Sequence, residues 1–260
     1  MRLGRAYGLP TQRRHSPTIR EPVKLGLHRA PWGNHAVVWA SAVSVPVAVS
    51  HPQPRLGPYA DAPRLPDGEI DVRLVVVGQW VEVEIGPGRG WFLVERAATA
   101  PSAALLGLEI RRKWASIIDG RLNARGWRAR TRVYAEDASL ALPRLGPEGS
   151  VRRFFVNFPD PWWKKRHHKR RVVRDSFVGD IARLLENGGE LFIQTDVEER
   201  ARAYEELVDS DRRLCPSGDL AGSPRLAENP YDARSSRERR AMADGLPIFR
   251  LRWSRARRDP

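Results

Sequence analysis

The sequence predicts an α/β fold in which helices cover both faces of a mostly parallel sheet. Two observations support this prediction. From about residue 69 onward, short apolar runs alternate with helical segments. In addition, the glycine, acidic and aromatic motifs of the chain follow the ends of these runs, where open parallel sheets bind their ligands.

The elements follow one another in a regular order. Short apolar runs predict strands at residues 80–85, 104–110, 130–134, 153–158, 190–195 and 248–253. The segments between them predict helices at residues 92–98, 111–125, 176–186 and 197–208. Gly126 is expected to stop the second helix, and Gly188-Gly189 are expected to cap the third. We expect this domain to occupy residues 69–260.

Residues 1–68 have a different character. They are rich in Pro, Arg and His and show no sustained periodicity, which predicts an irregular N-terminal extension. The apolar stretch at residues 36–49 is too short to span a bilayer and is interrupted by Pro46. It also starts too far from the N-terminus for a signal peptide.

The composition indicates a globular protein that binds polyanions. Of the 260 residues, 41 % are hydrophobic, and 45 Lys and Arg against 31 acids give a formal charge of +14. This excess favours nucleic acid as the partner, with an anionic membrane surface second. The single cysteine, Cys215, excludes an intramolecular disulfide and a zinc site built on several cysteines. We expect a cytoplasmic protein without a metal.

A glycine cluster follows the first strand. Gly86, Gly88 and Gly90 are spaced Gly-x-Gly-x-Gly, which differs from the spacing of dinucleotide sites. Glycines allow a sharp turn and let a ligand approach the main chain closely, although a tight turn without a ligand is the alternative. No Lys-Ser/Thr pair follows, which argues against an NTPase.

Acidic residues at successive strand ends favour the ligand-binding interpretation. Glu84 precedes the glycines, Glu109 closes the second strand and Asp137 follows the third. Each acid alone is typical of a solvated charge, but at these positions Glu109 can accept hydrogen bonds from ribose hydroxyls and Asp137 can meet an adenine amino group. A ligand with ribose and adenine but no phosphates fits, and S-adenosylmethionine is such a ligand. The arrangement is similar to the class I methyltransferase pattern.

A second motif follows the fourth strand. Pro159 and Pro161 hold Asp160 in a stiff backbone, and the tryptophans after them offer faces for base stacking. The run that follows predicts a surface that grips phosphates, with a solvated face or localisation patch as the alternative. Its members beyond Lys164 are Lys165, Arg166, His167, His168, Lys169, Arg170 and Arg171. The two histidines lie among cations, which disfavours a metal site.

The stretch at residues 158–171 resembles the signature of bacterial tRNA (guanine-N7)-methyltransferases. The resemblance extends over about residues 70–254, with the glycine motif, Glu109, Asp137 and Thr195-Asp196 in the family's order. It implies a class I methyltransferase (Rossmann-like) fold with a seven-stranded sheet. It also implies methyl transfer from S-adenosylmethionine to N7 of a guanine in tRNA, position 46 of the variable loop, with S-adenosylhomocysteine as the other product.

The resemblance also implies residue roles. Asp160 would be catalytic, Lys164 and Asp196 would contact the target nucleotide, and the basic run would bind RNA. The cofactor would be held by Glu84, Gly86, Gly88, Gly90, Glu109, Asp137 and Asp160. The family's Thr-x-aromatic-Glu tail corresponds to residues 235–238, which predicts substrate contacts from Ser235 and Glu238. Here Arg237 replaces the aromatic residue, and Ala233 replaces a proline.

Two other functions remain open from the sequence. One is a methyltransferase of a small molecule or a protein, which the basic run disfavours. The other is a non-enzymatic RNA-binding protein, which the intact glycines and acids disfavour. We expect tRNA as the partner, no membrane, and a monomer, with a homodimer as the alternative.

Overall fold

The computed structural model describes residues 58–159, 173 and 175–258. Helices and strands alternate along most of this length. In chain order they are β1 (Ile70–Asp71), α1 (Val72–Val75), β2 (Trp80–Ile85), α2 (Trp91–Thr99), β3 (Ala103–Leu108), α3 (Arg112–Ala124), β4 (Thr131–Tyr134), α4 (Ala138–Ala141), β5 (Leu145–Gly146), β6 (Val151–Asn157), α5 (Asp175–Leu184), β7 (Leu185–Thr195), α6 (Glu198–Asp209), β8 (Leu214–Pro216), β9 (Arg225–Leu226), α7 (Ser236–Ala243) and β10 (Phe249–Arg255).

The central sheet confirms the predicted fold class. Its strand order is β4-β3-β2-β6-β7-β10-β8, and the two-residue β9 pairs with β10 as an eighth strand, one more than the seven expected. In this order the first five strands, from β4 through β3, β2 and β6 to β7, run parallel to one another, whereas β10 runs antiparallel to β7. The short β1 and β5 form a separate parallel pair.

Apolar side chains pack on both faces of the sheet. Side chains alternate between the two faces of a strand, so Leu105 and Leu106 of β3 point in opposite directions. Leu105 packs with Leu93 of α2 and Ile118 of α3, whereas Leu106 belongs to the core that includes Ile181 of α5. Helices therefore cover both faces, as expected.

Most predicted elements have the expected type and lie within a few residues of the expected bounds, but the end of the third predicted helix is wrong. The helix ends at Leu184 and β7 begins at the next residue, so Gly188-Gly189 lie inside the strand and do not cap the helix. Leu185 pairs with Val151 of β6, and Glu190 pairs with Arg153. Between these two pairs β7 therefore advances five residues while β6 advances two. The glycines lie in this irregular part of the strand, where Gly188 has a φ of +75°.

The chain just before residue 69 packs against the domain. Ala62 and Leu65 are buried, and the Pro63 carbonyl accepts a hydrogen bond of 2.7 Å from the backbone N–H of Ala135. Arg64 forms an ion pair of 2.7 Å with Glu136. The division at residue 68 stays a prediction, because residues 1–57 lie outside the described part of the chain.

Within the described ranges, no helix combines the length and the apolar character needed to cross a bilayer. The apolar stretch at residues 36–49 is not among these residues.

Candidate active site

Five parallel strands end at one edge of the sheet, and the predicted donor-site residues follow these ends. The glycine loop comes after β2, Glu109 after β3, and Asp137 shortly after β4. Phe158 follows β6 and Asp196 follows β7. Because these strands are neighbours, the segments that leave them lie side by side along this edge.

The glycine loop turns sharply and leaves its main chain accessible at one end. All three glycines have positive φ: +67° at Gly86, +60° at Gly88 and +77° at Gly90. A Cβ added at Gly86 would meet nothing within 4 Å, so a ligand can approach the backbone there. A Cβ added at Gly90 would lie 2.7 Å from the Ile118 side chain, so the last glycine allows α2 to pack on α3.

Glu109 stabilises the glycine loop from the next strand. One carboxylate oxygen, Oε2, accepts a hydrogen bond of 2.8 Å from the backbone N–H of Gly88. The other, Oε1, accepts from the backbone N–H and the Nε of Arg111, at 3.0 and 2.9 Å. The carboxylate is thus fixed beside the loop, where the remaining lone pair of Oε2 can accept a hydrogen bond from a ligand.

Glu84 lies behind the loop at the end of β2 and is fully buried. Its Oε1 accepts a hydrogen bond of 2.9 Å from Asn157 Nδ2, whereas its Oε2 has no partner within the described residues. Burial raises the pKa of this carboxyl to about 8, and the charge of Glu109 also raises it, against the opposing effect of the Asn157 hydrogen bond. An oxygen of this kind is suited to a cationic or hydrogen-bonding ligand group.

Asp137 lies at the start of α4 and caps that helix. One of its oxygens accepts hydrogen bonds of 2.8 Å from both the backbone N–H and the hydroxyl of Ser139. The structure therefore places Asp137 at the predicted edge and shows a structural role for it that the sequence analysis did not include.

Buried polar side chains link Glu84 to the C-terminal part of the chain. Asn157, which donates to Glu84, accepts a hydrogen bond of 2.8 Å from Gln194 Nε2. The same Gln194 nitrogen donates to Glu238 Oε2 at 3.1 Å. We call these four side chains the buried polar network. It connects the ends of β2, β6 and β7 with α7.

Ser235 and Glu238 belong to the start of α7. Ser235 caps the helix by accepting a hydrogen bond of 3.1 Å from the backbone N–H of Glu238. The Glu238 carboxylate is fully buried and also accepts hydrogen bonds from Asn229 and Arg250. A carboxylate without exposed surface does not reach RNA in this conformation. The predicted substrate contact of Glu238 stays a prediction.

Asp196, predicted to contact the target nucleotide, forms an ion pair with Arg237 of α7. Arg237 stands where the predicted tail motif has an aromatic residue, and its side chain is 45 % exposed. The structure thus brings the β7 end and the tail together through a charge pair that the sequence analysis did not predict.

Asp160 lies outside the described residues. So do Lys164 and the RNA-binding candidates Lys165, Arg166, His167, His168, Lys169, Arg170 and Arg171. The described chain before them reaches this edge of the sheet, because Phe158 follows β6 and its backbone N–H donates to the Gln194 carbonyl at 2.8 Å. Residues 58–159, 173 and 175–258 contain no group of three or more His, Cys, Asp or Glu side chains that could hold a metal ion.

Comparison with known proteins identifies the family. A family model described as "Putative methyltransferase" matches residues 79–251. A tRNA (guanine-N(7)-)-methyltransferase from Anaeromyxobacter dehalogenans is 41 % identical over 195 residues, which cover 74 % of this chain and 92 % of the relative. The chain belongs to the tRNA (guanine-N(7)-)-methyltransferase family. Another family member, from a Synechococcus species, is 35 % identical over 179 residues, covering 67 % of this chain and 72 % of the relative.

Solved structures agree on the fold. The 16S rRNA methyltransferase KamB has a TM-score of 0.50 and 14 % identity, and the match covers 69 % of this chain and 89 % of KamB. The tRNA (guanine-N(7)-)-methyltransferase family and the S-adenosylmethionine-dependent methyltransferase fold predicted from the sequence are therefore both confirmed.

Two apolar residues at the edge of this methyltransferase fold were not singled out by the sequence analysis. Ile110 and Leu140 are large, apolar and well exposed. Ile110 directly follows Glu109, and Leu140 follows Asp137 by three residues. Their positions close to Glu109 and Asp137 were the signal available in the sequence, but only the structure shows that both side chains are exposed.

Proposed function

We propose that this chain transfers a methyl group from S-adenosylmethionine to N7 of a guanine in tRNA, leaving N7-methylguanosine and S-adenosylhomocysteine. This is the activity that names its family. The observation that carries the proposal is the convergence of an open glycine loop and three carboxylates on the edge where β6 ends, three residues before Asp160 in the sequence.

The residues at this edge fit the donor. Glu84 has a buried oxygen free within the described residues, and it would bind the ammonium of the methionine part. Glu109, fixed beside the glycine loop, would accept a hydrogen bond from a ribose hydroxyl at the remaining lone pair of Oε2. Asp137 would face the adenine, with Ile110 and Leu140 as apolar contacts for the ring. When bound, the donor supplies an electrophilic methyl group on a sulfonium sulfur.

The chain's own part in the reaction is alignment and charge stabilisation. Guanine N7 already carries a lone pair, so no residue has to remove a proton from it first. The protein has to hold the nitrogen in line with the methyl group and close to it. Positive charge develops on the purine during transfer, and a fixed carboxylate nearby stabilises it. We assign this role to Asp160, with Asp196 assisting.

Guanine selection follows from the same carboxylates. Guanine presents an N1–H and an exocyclic amino group as adjacent donors, and a carboxylate accepts from both. Adenine lacks this pair of donors, so it would leave the carboxylate unsatisfied. Lys164 would contact the target nucleotide, and the basic run at residues 165–171 would bind the tRNA backbone. We propose position 46 of the variable loop as the target and the cytoplasm as the compartment.

The direct test uses donor with an isotopically labelled methyl group and unmodified tRNA, followed by nucleoside analysis. We expect label only in N7-methylguanosine, and no label in a matched tRNA that carries adenosine at position 46. Label in a protein or small molecule would favour another methyltransferase function. Tight tRNA binding without donor binding or transfer would favour the non-enzymatic RNA-binding protein.

A further inference from the structure

A cluster of arginines lies at the edge of the sheet opposite the candidate active site. Arg255 ends β10, which runs antiparallel to β7, and it pairs with the first residue of β8. This position is at the amino ends of the parallel strands, whereas the donor-site residues follow their carboxyl ends. A surface cavity of about 450 Å³ opens here, lined by Glu148, Arg212, Arg213, Arg255, Arg257 and Arg258. We call it the arginine cavity.

The charges of the arginine cavity are poorly balanced. Arg213 forms an ion pair of 2.6 Å with Asp211. Within the described residues, the other four arginines of the cavity have no carboxylate in hydrogen-bond contact. Of the described residues that line the cavity, Glu148 is the one acid. Among the described residues, five guanidinium groups therefore lie near two carboxylates, Asp211 and Glu148.

Backbone carbonyls hold two of these arginines in place without neutralising them. Arg255, buried at 8 % exposure, donates from Nε to the carbonyl of Ala182 at 2.7 Å. Arg258 donates from Nη2 to the carbonyls of Arg183 and Leu185 at 2.7 and 2.8 Å. Neutral acceptors fix the direction of a guanidinium and leave its full charge available, and each guanidinium keeps further N–H donors for a ligand.

The neighbouring charges also repel one another. Burial lowers the pKa of Arg255, and the positive charges of Arg258 and Arg213 lower it further. An anion placed between these side chains would relieve the repulsion. Planar guanidinium groups match phosphate oxygens in a bidentate geometry, so phosphate is the anion that this arrangement fits best.

We propose that the arginine cavity is a second RNA-contact site, which binds phosphodiester groups of the substrate tRNA away from the methylated base. The inference rests on the proposed function. With this second site, RNA would contact both edges of the sheet. The two edges are separated by the length of a six- or seven-residue strand, roughly 20 Å. A tRNA arm is longer than this, so one molecule can reach both edges.

The test removes two charges of the cavity that support no described contact in the fold. Arg212→Ala/Arg257→Ala should lower tRNA affinity at low salt about tenfold. It should also reduce the slope of log affinity against log salt by roughly 1 to 2. The charge control is Arg125→Ala/Arg128→Ala, which removes the same charge near the end of α3, on the β4 side of the sheet. It also breaks the 3.6 Å ion pair of Arg128 with Asp119, so its melting temperature is measured as well, and in its folded form it should change neither tRNA affinity nor the salt slope.

Further measurements separate this proposal from the proposed function. The cavity variant should keep its melting temperature, its donor affinity and its kcat at saturating tRNA, while KM for tRNA rises. Arg212→Gln/Arg257→Gln repeats the test if the alanine variant melts early. Unchanged tRNA affinity and salt slope in a folded variant would overturn the proposal. The proposal would also be overturned if the cavity binds inorganic phosphate but the double variant binds tRNA as tightly as the unaltered chain. Failure of methyl transfer in the unaltered chain would count against the proposed function alone.

Discussion

Glu84 combines full burial with a carboxylate oxygen that has no partner among the described residues. Its pKa of about 8 lies well above the ordinary value of 4.5, with burial as the main cause. Between these two values the folded chain keeps a proton at Glu84 that the unfolded chain has released. The stability that Glu84 contributes is therefore complete below pH 4.5 and is lost as the pH rises through 8.

The same raised pKa predicts proton release when the donor binds. An ammonium group beside Glu84 favours the ionised carboxylate, so binding near pH 7 should release close to one proton. Titration calorimetry in buffers of different ionisation enthalpy measures this number. Glu84→Gln should abolish the release and weaken donor binding about tenfold or more. Equal proton release by the variant and the unaltered chain would mean that Glu84 does not face the ammonium.

At the scale of elements, α7 and the segment before it are tied to the sheet by buried and surface contacts. Gln194 of β7 donates to both Asn157 of β6 and Glu238 of α7. On the surface, Glu95 of α2 accepts a hydrogen bond of 2.9 Å from the backbone N–H of Arg234 and pairs with Arg239. The tail is therefore connected to the helix that follows the glycine loop and to the strand that precedes Asp196.

Gln194→Leu tests the buried polar network. The change keeps a similar volume but removes the donor to two buried acceptors, so we expect the free energy of unfolding to fall by about 1–3 kcal/mol. Chemical denaturation measures this loss. Gln79→Leu is the matched control, because Gln79 is exposed, and its effect should stay within about 0.5 kcal/mol. Equal effects of the two substitutions would show that the network contributes no stability of its own.

The sequence predicted the elements well where local signals decide them. Alternating apolar runs and helical segments placed β2, α2, α3 and β4 within a residue or two. The start of β7 was missed because Gly188-Gly189 has the composition of a helix cap, whereas pairing with β6 draws these glycines into the strand. That pairing joins distant parts of the chain, and local sequence does not report it.

For the molecule as a whole, the sequence predicted the candidate site at one edge of the sheet but not the arginine cavity at the opposite edge. The glycine loop and its acids could be predicted because each one follows a strand end. The buried polar network could not, since its hydrogen bonds join residues 37 to 73 positions apart. The net charge of +14 predicted a polyanion partner, but only the fold shows arginines gathered at the opposite edge.

In the proposed mechanism, the proline-flanked Asp160 shares a cleft with the donor and the guanine. Single-turnover methyl transfer by Asp160→Ala, with tRNA and donor both saturating, tests this most directly. Asp175→Ala, which removes an exposed acid from the first turn of α5, is the control and should transfer at the normal rate. We predict that Asp160→Ala binds tRNA normally but transfers the methyl group at least a hundredfold more slowly, a loss of about 2.7 kcal/mol or more in transition-state stabilisation. Near-normal transfer by this variant would contradict the catalytic role of Asp160.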